Sequence, residues 1–155
     1  MQLPDIHRSR AVLIGVSDFL HLPPLPSVAS NLRGLTTCLG DTDLWGLLES
    51  NCIIVAQPTS SGEIIDSVEE AAGEAEDTLF VYYAGHGLVD GWNGELSLTL
   101  AGSVQGRAHT ATPYEWVRRA IVNSRAGRRI LILDCCYSGR ALGTMLIPAS
   151  GECAR

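Results

Sequence analysis

The stretch RRILILDCCYSG (residues 128–139) starts with charge, turns aliphatic from Ile130 to Leu133, and stops at Asp134, two adjacent cysteines and a Tyr-Ser-Gly turn. A short aliphatic run closed by turn residues suits a strand buried on both faces of a parallel sheet. Three earlier blocks have the same form: AVLIGV (11–16), CIIVA (52–56) and TLFVYYA (78–84). The stretches between them repeat with helical period. Val28, Leu32, Leu35 and Leu39 make one stripe. Ile64, Val68, Ala71, Ala72 and Ala75 make a second, behind Ser60 and Glu63 at capping-box spacing. Thr112, Pro113 and Glu115 predict the cap, first position and reciprocal acid of a third helix running to about Asn123.

Strand and helix alternate, which predicts an α/β fold with right-handed crossovers, helices on both faces of a parallel sheet, and ligands beyond the carboxyl ends of the strands. Residues 90–110, around ELSLTL, read as a small hairpin followed by a loop. Too little chain follows Asp134 for another crossover and strand. The sheet is therefore expected either to end at an open edge or to be completed by a second polypeptide.

The bulk numbers narrow the function. At 155 residues the chain is one domain by size. It is 46% hydrophobic and 18% charged, a globular composition. Net charge is −6 and all eleven basic residues are Arg, which argues against nucleic acid as a partner and fits a GC-rich genome. No stretch approaches the roughly 20 apolar residues of a membrane helix, and MQLPDIHRSR lacks the apolar block of a signal peptide, so the expected location is cytoplasmic. Five cysteines without a CxxC spacing predict thiols in a reducing compartment, with no zinc, no disulfide framework and no cofactor.

The chemistry lies in two turns on one side of the expected sheet, YYAGHG (82–87) and LDCCYSG (133–139). Adjacent parallel strands would bring them together. A thiol nucleophile needs a base within hydrogen-bond reach and donors for an oxyanion. His86, between Gly85 and Gly87, supplies an imidazole and the accessible amide of Gly87. Cys136 supplies a sulfur and its own N–H. Because strand side chains alternate, Cys135 and Cys136 are expected to point to opposite sides, one into packing and one into the cleft. Two rival motifs fail: C-x5-R has no arginine at the required spacing from either cysteine, and no glycine-rich phosphate loop follows the first strand.

The two turns together resemble the caspase-like cysteine peptidases, in the bacterial metacaspase and orthocaspase branch, over residues 10–142. The fifty positions from His86 to Cys136 match the spacing of that family, and Gly139, three after Cys136, follows the metacaspase form. The resemblance implies a three-layer α/β/α sandwich with a mainly parallel central sheet, completed by a small subunit. Residues 1–9 would be an N-terminal extension and 143–155 an inter-subunit tail. It implies a Cys136–His86 dyad acting on protein or peptide substrates, with the oxyanion held by the amides of Gly87 and Cys136. Asp134 would line the primary pocket and accept an arginine or lysine of the substrate.

The sequence departs from the family at Ala84, where metacaspases commonly carry serine, and at Asn31 and Leu32, where they carry a second acid. Both belong to the substrate pocket. Arg155 at the end of the chain is what cleavage after arginine by the protein itself would leave, and equally what a sequence written short would show. Asp41 and Asp43 sit where calcium, a regulator of metacaspases, has a possible site, but two acids beside glycines read as a turn. Cys38 and Cys52 read as core, Cys153 as tail, and His7, His21 and His109 as solvated loop residues. The alternative to a peptidase is an inactive interaction module of the same fold.

Overall fold

In a computed structural model, which describes residues 3–137, 139 and 141, the chain runs β1 (Arg10–Gly15), α1 (Ser27–Gly40), β2 (Cys52–Ala56), α2 (Ser61–Glu74), β3 (Thr78–Ala84), β4 (Gly87–Val89), β5 (Leu96–Leu98), β6 (Thr112–Pro113), α3 (Tyr114–Val122) and β7 (Arg128–Asp134). Arg155, the tail from 143 onward and Cys153 lie outside the described residues. The four aliphatic blocks form one parallel sheet in the order β2-β1-β3-β7. A small antiparallel sheet, β4-β5-β6, fills the break between β3 and α3.

Strand alternation sorts the core into two layers. Ala11, Leu13, Phe80, Tyr82 and Ala84 face α1 through Val28, Leu32 and Leu39. Val12, Ile14, Leu79, Val81 and Tyr83 face the opposite way, onto Ile64 and Val68 of α2 and Tyr114 and Val117 of α3. The result is the expected three-layer α/β/α sandwich, with β1 and β3 buried on both faces.

The aliphatic run of β7 is not buried as its composition predicts. Among the described residues β7 pairs only with β3, and Ile130 and Ile132, level with Phe80 and Tyr82 on the α1 side of the sheet, are left 41% and 43% exposed. An apolar strand signals its type but not what covers it. The third helix also starts later than expected. Thr112 and Pro113 pair with β5 as β6, and Thr112 spends its hydroxyl on Ser61 Oγ at 2.9 Å instead of capping the helix. Glu115 correspondingly pairs with Arg118 at 2.6 Å. Cys38, read as core, is exposed on α1. Residues 5–9 lie against the start of β3, with the Arg8 carbonyl accepting the N–H groups of Glu76 and Asp77.

The capping box of α2 forms as the spacing predicts: Ser60 Oγ accepts the Glu63 N–H and the Glu63 carboxylate returns to the Ser60 N–H. The same carboxylate takes the Thr59 hydroxyl at 2.7 Å. Bonds from Thr59 and Ser60 hold the Glu63 carboxyl below the usual range. Ser60→Ala should cost about 1 kcal/mol, read as a Tm lower by about 2–4 °C in a thermal scan. An unchanged Tm would show that the box adds nothing to α2.

Candidate active site

Strands β3 and β7 run parallel in register from Thr78↔Arg128 to Ala84↔Asp134, so they end level. The two turns that follow are adjacent, and the Gly85 N–H reaches the Asp134 carbonyl at 3.3 Å. His86, Cys136, Cys135, Asp134 and Asn31 line one cavity of about 340 Å³ at this end of the sheet.

His86 is held from three directions. Its Nε2 lies 2.9 Å from the Pro23 carbonyl, in the loop between β1 and α1. A carbonyl only accepts, so Nε2 carries the hydrogen, and in the neutral ring Nδ1 keeps its lone pair. The Phe19 ring sits against the imidazole with centroids 4.8 Å apart. The backbone is fixed from behind: the His86 carbonyl accepts from the Thr99 N–H at 3.2 Å, the Thr99 hydroxyl at 3.0 Å and the Tyr83 hydroxyl at 2.9 Å. Tyr83 is fully buried, and burial drives its phenol well above the usual range. In a trans peptide the C=O and the following N–H point in opposite directions. Fastening the His86 carbonyl to Thr99 of the β5 side therefore turns the Gly87 N–H away from β5. Gly87 also has no room for a side chain: a Cβ there would run into the Cys136 carbonyl.

The adjacent cysteines are not equivalent. Cys135 is half-buried and packs against the core shared with α2 and α3. Burial, then the neighbouring Cys136 and Asp134, push its thiol up to about 12. Cys136 is exposed. The next residue, Tyr137, has φ 63°, a left-handed conformation that non-glycine residues adopt sparsely and that gathers at functional turns.

Asp134 faces the α1 side. Its Oδ2 accepts the Tyr82 hydroxyl at 3.0 Å and the Asn31 amide at 3.5 Å. Burial first, and then the bond to Asp134, raise the Tyr82 phenol. Asn31, singled out from sequence as a departure, thus reaches the cavity. Ala84 is fully buried at the register position beside Asp134, packed in the α1 layer rather than open to the cavity. Asp41 forms a turn, its carboxylate accepting the Asp43 N–H at 2.8 Å, and among the described residues no group of three or more metal-ligating side chains occurs. No helix among them is long and apolar enough to cross a membrane.

Sequence reasoning missed Pro23, Phe19 and Tyr82. Pro23 acts through a backbone carbonyl, which has no side-chain signature. Phe19 is a lone aromatic in a loop and Tyr82 an apolar-block residue, and the role of each depends on which turn it faces.

A family model described as the caspase domain matches residues 8–153. No curated protein matches the chain.

The raised pKa of Cys135 keeps its thiol protonated at pH 8, with thiolate appearing only as pH climbs towards about 12. Iodoacetamide at pH 8 should therefore modify Cys135, left by Cys136→Ser, at least about tenfold more slowly than it modifies Cys136, left by Cys135→Ser. Equal rates would show Cys135 to be as open as its neighbour.

Proposed function

The chain belongs to the caspase domain family, a family of cysteine peptidases, and from that premise we propose that it is an endopeptidase with Cys136 as nucleophile and His86 as acid and base. The observation that carries the reading is the pinned imidazole: Nε2 is committed to Pro23 while Nδ1 remains for a proton, on the same cavity as the exposed Cys136. The Cys136 thiol gives its proton to His86, and the thiolate attacks the substrate carbonyl to form a C–S bond. The oxyanion is held by the N–H groups of Gly87 and Cys136. His86 then protonates the leaving amine as the C–N bond breaks. Water, deprotonated by His86, hydrolyses the thioester and returns the thiol.

The residue before the scissile bond is basic in this reading, because Asp134 offers a carboxylate at the cavity and a guanidinium or ammonium pairs with it. The placement of Gly139 three after Cys136 supports the metacaspase-like branch, and a thiol-rich composition supports a reducing, cytoplasmic compartment. The exposed Ile130 and Ile132 on β7 support completion of the sheet by further chain, such as a small subunit.

An irreversible arginyl ketone tests the assignment. It should label Cys136 in the native chain and in Cys135→Ala, and nothing in Cys136→Ala. Asp134→Asn should lower kcat/KM on arginyl peptides by about ten- to a hundredfold, the worth of a hydrogen bond to a charged group. Absence of labelling and of peptide cleavage would favour the inactive interaction module.

A further inference from the structure

The loop between β1 and α1, residues 16–26, brings two groups to His86: the Pro23 carbonyl on Nε2 and the Phe19 ring against the imidazole. Neither group has a rigid element of its own. Pro23 is exposed and Phe19 half-buried, so the loop's internal ties decide where they sit. The loop closes on itself through Leu25 N–H to the Ser17 carbonyl at 2.7 Å, and Leu20 N–H reaches the Ala101 carbonyl at 2.9 Å.

The start of the loop is gripped by one side chain from another part of the chain. Gln57 follows β2 directly, and its N–H bonds the Gly15 carbonyl at 2.8 Å. Its Oε1 accepts the Ser17 N–H, the Ser17 hydroxyl at 3.1 Å and the Asp18 N–H at 3.1 Å. Its Nε2 donates to the Asp18 carbonyl at 2.8 Å. The amide thus partners three backbone groups in the first turn of the loop, the Ser17 and Asp18 N–H groups and the Asp18 carbonyl.

The backbone of Gln57 makes that grip informative. Its φ is 56°, in the left-handed region where glycine is the default and a long side chain is strained. Backbone geometry alone favours glycine at this position. The side chain is therefore what the position needs, and among the described residues its hydrogen bonds go to Ser17 and Asp18, in the loop that holds His86. Gln57 does not line the cavity that contains His86 and Cys136.

We propose that Gln57 is a positioning residue for His86, acting through Ser17 and Asp18 to fix the Pro23 carbonyl and the Phe19 ring against the imidazole. The proposal rests on the reading of His86 as acid and base. With the clamp in place the ring is held in one orientation, with hydrogen on Nε2 and a lone pair on Nδ1. Without it the loop loosens, both tautomers and other ring orientations become populated, and only a fraction of molecules has the base ready. Substrate binding is untouched, so the loss falls on kcat and not on KM.

Gln57→Gly in the full chain removes the amide and suits the backbone, so it is expected to fold. It should lower kcat on an arginyl peptide by about ten- to a hundredfold, the cost of a misplacement of about 1 Å in a catalytic group, with KM within about twofold. Gln57→Glu keeps the acceptor for Ser17 and Asp18 and should recover part of the loss, which a merely structural role would not require. Long-range ¹H–¹⁵N spectra of His86, assigned with His86→Ala, give a readout independent of turnover: the native ring should show a single Nε2–H tautomer and Gln57→Gly a mixture. An unchanged tautomer and unchanged kcat in Gln57→Gly overturns the proposal while leaving the peptidase reading intact. A mixed tautomer in a chain that never labels at Cys136 supports the clamp and removes the peptidase reading instead. Should Gln57→Gly fail to fold, the same two readouts on Gln57→Asn decide, since asparagine tolerates a left-handed backbone and its amide is one methylene too short for the clamp, and native behaviour in Gln57→Asn overturns the proposal.

Discussion

The level ending of β3 and β7 is the constraint on which the cavity depends. Because the two strands pair from Thr78↔Arg128 to Ala84↔Asp134, both turns leave the sheet at the same height. A slip of one residue would reverse every side chain on β7. Asp134 would turn to the α2 and α3 layer and lose Tyr82 and Asn31, while Cys135 would leave its packing and face α1. The close approach of the Cys136 carbonyl to Gly87 depends on the same register. Burial opposes that slip: Leu131 and Leu133 pack with Cys135 against the deep core, and a shift of one residue would turn all three out of it.

A second requirement follows from burial of polar backbone. The turn at His86 carries a carbonyl into the interior, where an unpaired acceptor is costly. Thr99 and Tyr83 meet that cost from β3 and from the end of β5, and in doing so they fix which way the Gly87 N–H points. The imidazole is then set from the front by a loop that begins seventy positions before His86. Four segments, around residues 17–23, 57, 83–87 and 99, thus converge on one ring. This is a division of labour: the sheet sets the height of the two turns, and hydrogen bonds between loops set the orientation of the ring.

The parts of this arrangement that side chains announce were legible in the sequence, and the parts made by backbone were not. The four aliphatic blocks announced the four strands of the parallel sheet, and Ser60 with Glu63 announced the start of α2, because burial and capping each select residue types locally. Cys135 and Cys136 separated as alternation predicts. The Thr112 cap failed because its residues are the same ones a short edge strand accepts, and pairing with β5 prevailed over the local signal. Cys38 failed because thiols are usually buried but α1 turns this one outward. Pro23 left no trace, since any residue supplies a carbonyl. Gln57 left none either, since a left-handed φ outside glycine shows only in coordinates.

The acid at the cavity carries the remaining question of selectivity. Tyr82 and Asn31 both converge on Oδ2 of Asp134, so that oxygen is already occupied and Oδ1 is the freer one. A guanidinium gains its advantage over an ammonium by spanning two oxygens at once. Where one oxygen is engaged by the protein, that advantage shrinks, and a point charge competes on more equal terms. Asn31 adds to the same effect, because an amide at that place steadies the carboxylate without contributing a second negative charge. On the proposed reading of this cavity as the substrate pocket, arginine preference inferred from a two-acid pocket therefore does not transfer whole to one that offers a single carboxylate beside an amide.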